Sequence, residues 1–157
     1  MKLVVATDGS RGSRAALRFA ARMAKGCRKT QIVVVTIGAL RRQLLFAHPD
    51  TPAGLSLWPE LEMRERALAE RVLGDAVREA KKLGAKVRCR FVQPRRLGPV
   101  AEAIAHEADK EKADLIVVGT EGHGGAGNWS LGSVSARLLH VARRPVAVVR
   151  VPRPKAE

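Results

Sequence analysis

Residues 115–139 read LIVVGTEGHGGAGNWSLGSVSARLL: an apolar run, a connection with repeated glycines, and an amphipathic segment. Glycine inside ordered structure costs roughly 0.5–1 kcal/mol relative to alanine, so this clustering needs a physical reason. Backbone amides at a helix start lack partners and carry the positive end of the helix dipole, which suits phosphate oxygens. Gly122 and Gly132 would let the main chain approach such an anion, and Ser133 adds a hydroxyl donor. The stretch therefore predicts a phosphate cradle before the last helix.

The rest of the chain alternates short β-branched runs with helical patterns. The predicted strands cover residues 2–7, 31–37, 85–92, 114–119 and 145–151. The predicted helices cover residues 10–26, 60–83, 97–108 and 131–142. Because the Val/Ile runs are nearly continuous, we expect strands that are buried on both faces. This pattern predicts an α/β fold, a mostly parallel sheet of five strands with four helices covering its two sides.

Composition excludes several classes of protein. The 157 residues are 46% apolar and 28% charged, which is typical of a globular domain. The apolar runs are far shorter than the ~20 residues of a membrane span, and no secretory signal precedes the first strand. The histidines and cysteines form no metal-ligand spacing, so no metal residues are predicted. We expect one domain over residues 1–151, a disordered tail over 152–157, and a cytoplasmic location.

The formal net charge of +14 is the least ordinary feature of the composition. Arg11, Arg14, Arg18 and Arg22 recur at three and four residues, which places them on one stripe of a helix. Such a stripe is either a solvated face or a surface for phosphate contacts with nucleic acid. Three Phe, two Trp and no Tyr leave few aromatic platforms for single-stranded bases. The solvated face is the favoured interpretation, and a nucleic-acid-associated protein stays an alternative.

Two predicted strands end in similar turns, LVVATDG (residues 3–9) and IVVGTEG (residues 116–122). Each has an apolar run, a small residue, threonine, an acid and glycine. In open α/β sheets, ligands bind beyond the carboxyl ends of the strands, where the winding direction reverses. The match therefore predicts two facing walls of one cleft.

Three phosphate-binding patterns compete for the glycine-rich connection. A Walker loop requires GxxxxGK[ST], which the connection lacks. Gly122, Gly124 and Gly127 form a GxGxxG, but only one strand follows and no acid stands about twenty residues later to hold a ribose. We interpret that match as accidental. The third pattern is GxxG, nine residues, then G[ST], here Gly119-x-x-Gly122 followed by Gly132-Ser133.

This third pattern resembles the nucleotide-binding signature of the universal stress protein family. The resemblance covers the whole chain, including ATDGS after the first strand and the ending LGSVSARLLHVARRPVAVV. It implies a three-layer doubly wound sheet of five parallel strands in the order 3-2-1-4-5, which would place the ends of strands one and four side by side. Members with this glycine spacing bind ATP, so the resemblance places the chain in the ATP-binding class.

The resemblance also implies which residues contact the nucleotide. On the adenosine side these are Ala6, Thr7, Asp8, Ile37, Val118 and Gly119. On the phosphate side these are Gly122, Gly132, Ser133 and Val134, and His123 in the same connection is a separate candidate for a phosphate contact. Asp8 would lie near the adenine or the ribose, and Ile37 would cover the base. Glu121 would repel phosphates unless it turns outward or a divalent cation intervenes, so AMP and ATP, the latter with Mg²⁺ or Mn²⁺, are both candidate ligands.

We expect a stress-response protein in which bound nucleotide gates a regulatory or interaction module. The alternative is a slow magnesium-dependent ATP hydrolase, but we predict no catalytic residue from the sequence. The last strand is short, apolar and predicted to lie at a sheet edge, and such edges invite pairing. Because family members commonly dimerise there, the resemblance implies a homodimer through Val146–Val151, in addition to an unidentified protein partner.

Overall fold

The computed structural model describes residues 1–27, 29–39, 58–94, 98–120 and 131–151. The strands are β1 (Lys2–Ala6), β2 (Gln31–Ile37), β3 (Val87–Val92), β4 (Leu115–Gly119) and β5 (Val146–Val149). The helices within these ranges are α1 (Arg11–Gly26), α2 (Trp58–Lys82), α3 (Val100–Lys110) and α4 (Ser133–Val141). The predicted tail over 152–157 lies outside the described residues.

The five strands form one parallel sheet in the order β3-β2-β1-β4-β5. This confirms the three-layer doubly wound α/β fold and the expected strand order. β1 and β4 are neighbours at the centre, so the winding direction reverses between them. β3 and β5 are the two edges of the sheet.

Each side of the sheet carries one layer of helices and its own apolar core. On one side Leu3 and Val5 of β1 pack in a cluster with Ala16 and Leu17 of α1 and with Leu73 of α2. The cluster on the opposite side contains Val4 of β1 and Ile116 and Val118 of β4, together with apolar residues of α3 and α4. Because successive side chains of a strand point to opposite faces, the continuous Val/Ile runs supply both cores.

Two helices begin later than the sequence pattern predicts. Helix α3 begins at Val100 and not at residue 97, because Pro99 is extended (ψ 146°) and proline disfavours helical backbone in the residue before it. Helix α4 begins at Ser133, after Gly132, and not at Leu131. Within the described residues, no helix combines the length and the apolar character needed to cross a membrane.

An ionic cluster joins β3 to the carboxyl end of α3. Arg90 Nη1 donates a hydrogen bond to Glu111 Oε1 at 2.8 Å and lies 2.8 Å from Glu107 Oε1, a contact that is ionic without hydrogen-bond alignment. Arg88 also binds Glu111, and Lys2 Nζ lies 3.7 Å from it. The two glutamates are buried, so the cations compensate charges that would otherwise be costly there.

Candidate functional site

The central strands separate at their carboxyl ends. Pairing between β1 and β4 stops at Val5 and Val117, although both strands continue. β1 goes on pairing with β2, and the amide of Thr7 donates to the Val35 carbonyl at 2.9 Å. β4 goes on pairing with β5, and the amide of Thr120 donates to Val149 at 3.0 Å. A crevice therefore opens between β1 and β4, at the position where doubly wound sheets bind ligands.

The turn after β1 is fixed by its own polar side chains. The amide of Ser10 donates to Asp8 Oδ1 at 2.9 Å, and the amide of Gly9 donates to Thr7 Oγ1 at 3.2 Å. Gly9 has φ +81°, a conformation that glycine adopts without strain. Thr7 is buried and its carbonyl accepts a hydrogen bond from Thr36 Oγ1, whereas Asp8 is exposed. The turn therefore presents an acid at the crevice on a rigid support.

Side chains of the protein cap the start of helix α1. Ser10 Oγ accepts the amide hydrogen of Ser13 at 3.2 Å, which is the standard arrangement of a serine N-cap. The Ser13 hydroxyl donates to the Ser10 carbonyl, and the Thr7 hydroxyl donates to Ser13 Oγ. These hydroxyl groups are buried and bonded to one another. The third amide of α1 is thus paired with a side chain of the protein itself.

Helix α4 begins in a different way. Its N-cap is Gly132, which has no side chain to accept an amide hydrogen. The Gly132 amide donates to the Thr120 carbonyl at 2.7 Å, and the first helical bond runs from Ala136 to Gly132. Among the described residues, none accepts a hydrogen bond from the amides of Ser133, Val134 or Ser135. A helix start of this kind carries partial positive charge and binds anions.

Two hydrogen bonds attach the start of α4 to the end of β4. Besides the bond from Gly132 to Thr120, the Ser135 hydroxyl donates to the Gly119 carbonyl at 2.6 Å. Ser135 is buried, whereas Ser133 and Val134 are exposed. The exposed first residues of α4 are therefore held in place at the crevice.

Gly119 brings a helix and a strand into backbone contact. A Cβ atom at this position would lie 2.6 Å from the carbonyl oxygen and 2.8 Å from the Cα atom of Gly12, in the first turn of α1. Gly119 therefore does not accept a side chain at that separation. The last residue of β4 is therefore glycine because α1 packs directly on it.

The structure brings most of the predicted nucleotide residues to this one edge. At the ends of β1, β2 and β4 lie Ala6, Thr7, Asp8, Ile37, Val118 and Gly119. At the start of α4 lie Gly132, Ser133 and Val134. Ala6 and Ile37 are half-buried against the α3/α4 core, and the Val118 side chain belongs to that core, so its backbone is the part that faces the edge. Gly122, His123 and the acid Glu121 lie outside the described residues.

The sequence analysis missed Glu65, a buried carboxylate on α2 near the same edge. A Cβ on Gly38, just after β2, would lie 2.9 Å from the Glu65 carboxyl carbon, and Gln93 Nε2 is 3.5 Å from Oε2. Glu65 is in phase with the buried residues Ala69 and Leu73. That helical phase was the available signal, because an acid on a buried stripe must have polar partners.

No metal centre accompanies this arrangement in the described part of the chain. Within it, no three His, Cys, Asp or Glu side chains are grouped closely enough to hold a metal ion. Among the described residues, this edge presents backbone amides, hydroxyl groups and the Asp8 carboxylate.

The fold and the edge together define a class of protein. It is the class of α/β domains that have a crevice where a doubly wound parallel sheet reverses its winding and an uncapped helix start beside it, an arrangement suited to phosphate-containing ligands. The sequence model of the universal stress protein family matches residues 1–150. The chain belongs to that family.

Individual relatives agree along nearly the whole chain. Universal stress protein MJ0531 of Methanocaldococcus jannaschii is 32% identical over 154 residues, covering 97% of this chain and 83% of the relative. Universal stress protein Rv1636 of Mycobacterium tuberculosis is 34% identical over 149 residues, covering 94% of each. The crystal structure of a universal stress protein in complex with cAMP is 26% identical, with a TM-score of 0.64 and 96% of both chains covered.

Proposed function

We propose that the crevice between β1 and β4 binds an adenine nucleotide, ATP or AMP, with its phosphates at the start of α4. The observation that carries the proposal is the contrast between the two helix starts at this edge. Helix α1 is capped by Ser10, whereas α4 has only Gly132 as its N-cap and no described acceptor for its next three amides. An anionic group supplies the acceptors that the helix start lacks.

The remaining residues divide the ligand between two walls in this proposal. Ala6, Thr7 and Asp8 contact the adenosine side, with the exposed Asp8 carboxylate accepting hydrogen bonds from the adenine or the ribose. Ile37 covers the base, and the backbone at Val118 and Gly119 forms the second wall. The phosphate side consists of Gly132, Ser133 and Val134 together with Gly122 and His123. A triphosphate would bring Mg²⁺ or Mn²⁺ with it, which would also offset the charge of Glu121.

The family supports the adenine assignment through a relative solved in complex with cAMP. We infer that the protein is a cytoplasmic stress-response module in which bound nucleotide changes the surface offered to a partner. Such gating requires differential affinity of the ligand for two states. Helix α4 is the element to carry the change, because it begins at the proposed phosphate site and exposes apolar residues further along.

One such partner is a second copy of this chain, bound through β5. Edge strands present unpaired backbone groups, and Val146–Val149 is apolar and only half-buried. Nearby apolar side chains on and before α4 are exposed: Leu131 by 39%, Val134 by 36% and Leu139 by 50%. A homodimer through residues 146–151 would cover this apolar surface.

Mass spectrometry of nucleotides released from the purified, denatured protein provides a direct test. We expect adenine nucleotide to be released, and titration calorimetry should then give binding of ATP or AMP. Gly132→Val should reduce affinity at least tenfold, because its side chain would stand where the phosphates approach. Gly26→Val is the matched control. Gly26 is the last residue of α1, and a Cβ atom there would meet nothing within 4 Å. Equal affinity of the Gly132→Val variant would contradict the phosphate site.

Hydrolysis is measured in the same preparation. Release of inorganic phosphate from ATP above the blank, lost in Asp8→Ala, would make the protein a slow hydrolase. Under the proposal, bound ATP is recovered intact.

A further inference from the structure

The charged side chains of helix α1 are all positive. This helix has no acidic residue and five cations: Arg11, Arg14, Arg18, Arg22 and Lys25. All five are exposed. At about 100° per residue they fall within an arc of about 80°, so they form one stripe along the helix. Helix α2, which packs beside α1, contains six acids and six bases, so its formal charge cancels.

Ion pairing makes the contrast sharper. Six other arginines have a helical carboxylate partner: Arg64 with Glu60, Arg66 with Glu70, Arg78 with Asp75, Arg90 with Glu107, Arg137 with Glu102, and Arg144 with Asp109. On α1 only Arg18 has one, Glu79 at 2.6 Å. Within the described residues, no carboxylate lies within 4.0 Å of the other four cations of α1. Four of the five cations on this stripe therefore carry charge that no described carboxylate offsets by contact.

We propose that the stripe of Arg11, Arg14, Arg18, Arg22 and Lys25 docks the phosphate backbone of duplex DNA without reading its sequence. The 15 residues from Arg11 to Lys25 span about 21 Å at 1.5 Å per residue. Each strand of a duplex carries one negative charge per ~3.4 Å of the axis and winds around it, so a stripe of this length contacts a short segment of one backbone. The sign of the surface and the line of its cations therefore suit a few phosphates on one side of a duplex.

The side chains of the stripe also decide which nucleic acid it fits. The aromatic residue of α1, Phe19, packs against the core and is not available to stack on unpaired bases. The stripe has no Asn or Gln to read base edges, and no hydroxyl side chains to contact the 2′-OH groups by which proteins recognise duplex RNA. Cations alone bind the backbone, so duplex DNA is the favoured ligand.

The docking surface is rigid and separate from the crevice. The opposite face of α1, which includes Ala16, Leu17 and Ala20, is buried against the sheet, so the stripe needs no rearrangement to form. Only Arg11 lies near the turn that contains Asp8. The proposal consequently goes beyond the nucleotide-binding function and does not depend on it.

Fluorescence anisotropy of a labelled duplex, titrated from about 50 to 200 mM salt, measures both affinity and the number of phosphates contacted. The test variant is Arg14→Glu, Arg22→Glu and Lys25→Glu together, which leaves Arg11 and the crevice unchanged. The control reverses three exposed cations from separate parts of the chain, Arg71→Glu, Lys86→Glu and Arg143→Glu, so that both variants have the same net charge. Circular dichroism checks folding, and the corresponding Arg14→Gln, Arg22→Gln and Lys25→Gln variant serves if the first does not fold.

We expect the stripe variant to bind duplex at least tenfold more weakly and to reduce the slope of log K against log salt by about 2.7, since each lost phosphate contact removes about 0.9. The control should lose less than about threefold and keep its slope. Equal losses in the two variants would overturn the proposal, because net charge and not the stripe would then be responsible. Tighter binding of single-stranded DNA or duplex RNA, or equal binding of polyglutamate, would also overturn it. So would competition by ATP together with loss of DNA binding in Gly132→Val, which would assign the contact to the crevice.

Discussion

Replacing Gly119 by alanine should unfold or strongly destabilise the protein, although it adds a single methyl group. The new Cβ would lie 2.8 Å from Gly12 Cα, whereas carbon atoms pack at about 3.5–4.0 Å. The Gly12 carbonyl carbon would be closer still, so the first turn of α1 must move away from β4 by more than about 0.7–1.2 Å. The atoms that the new Cβ meets all belong to the Gly12 backbone, so no side-chain rotation relieves the clash.

Overpacking of a well-packed core costs typically 1–3 kcal/mol, and occasionally more. Because the added Cβ atom meets only backbone atoms, which cannot rotate away, we expect the free energy of unfolding to fall by at least about 3 kcal/mol. With an m-value of about 2 kcal/mol/M, that loss lowers the urea midpoint by about 1.5 M. Equilibrium unfolding followed by circular dichroism measures the shift, and Gly26→Ala, where the added Cβ meets open space, is the control. A Gly119→Ala midpoint equal to that of the parent protein would refute the close contact between α1 and β4.

Three further perturbations test other parts of the structure. Ser135→Ala removes the bond to the Gly119 carbonyl and should cost about 0.5–1.5 kcal/mol of stability and weaken nucleotide binding, whereas Ser133→Ala should leave stability unchanged. Burial raises the pKa of Glu111, but the cations Arg90, Arg88 and Lys2 outweigh burial and hold that pKa below its ordinary 4.5. The stability that Glu111 contributes is therefore present above pH 4.5 and is lost as the pH falls through the lowered pKa. Glu111→Gln should flatten this part of a plot of unfolding free energy against pH. Leu139→Glu places a charge on the exposed apolar surface of α4 and should convert a dimer to a monomer in light scattering, while the circular dichroism spectrum stays that of the folded protein.

The architecture follows from local sequence signals. β3 illustrates this: its alternation predicts Val87, Cys89 and Phe91 on one face, and these residues pack against the α1/α2 core. The intervening Arg88 and Arg90 point to the other face of the sheet, where they contact Glu111 and Glu107. Residue alternation fixes the faces of a strand, but the carboxylate partners come from a helix that starts later in the chain, and spacing alone does not identify them.

The candidate site was predictable in its position but not in its supports. Matching turns after β1 and β4 indicate a common cleft, since parallel strands end at the same edge. Gly12, Ser135 and Glu65 were missed because each acts through contacts between distant segments. Gly12 matters because Gly119 of β4 packs on its backbone, and Ser135 matters because the Gly119 carbonyl lies 2.6 Å away.

The contacts of Gly119 have a consequence for the two ligands proposed here. Gly119 touches α1 through Gly12 and holds α4 through Ser135, so one residue connects the DNA-docking helix to the phosphate-binding helix. If that connection transmits displacement, thermodynamic linkage requires reciprocity: the factor by which nucleotide changes DNA affinity equals the factor by which DNA changes nucleotide affinity. Measuring both factors in one buffer would determine whether the two helices respond as a single unit.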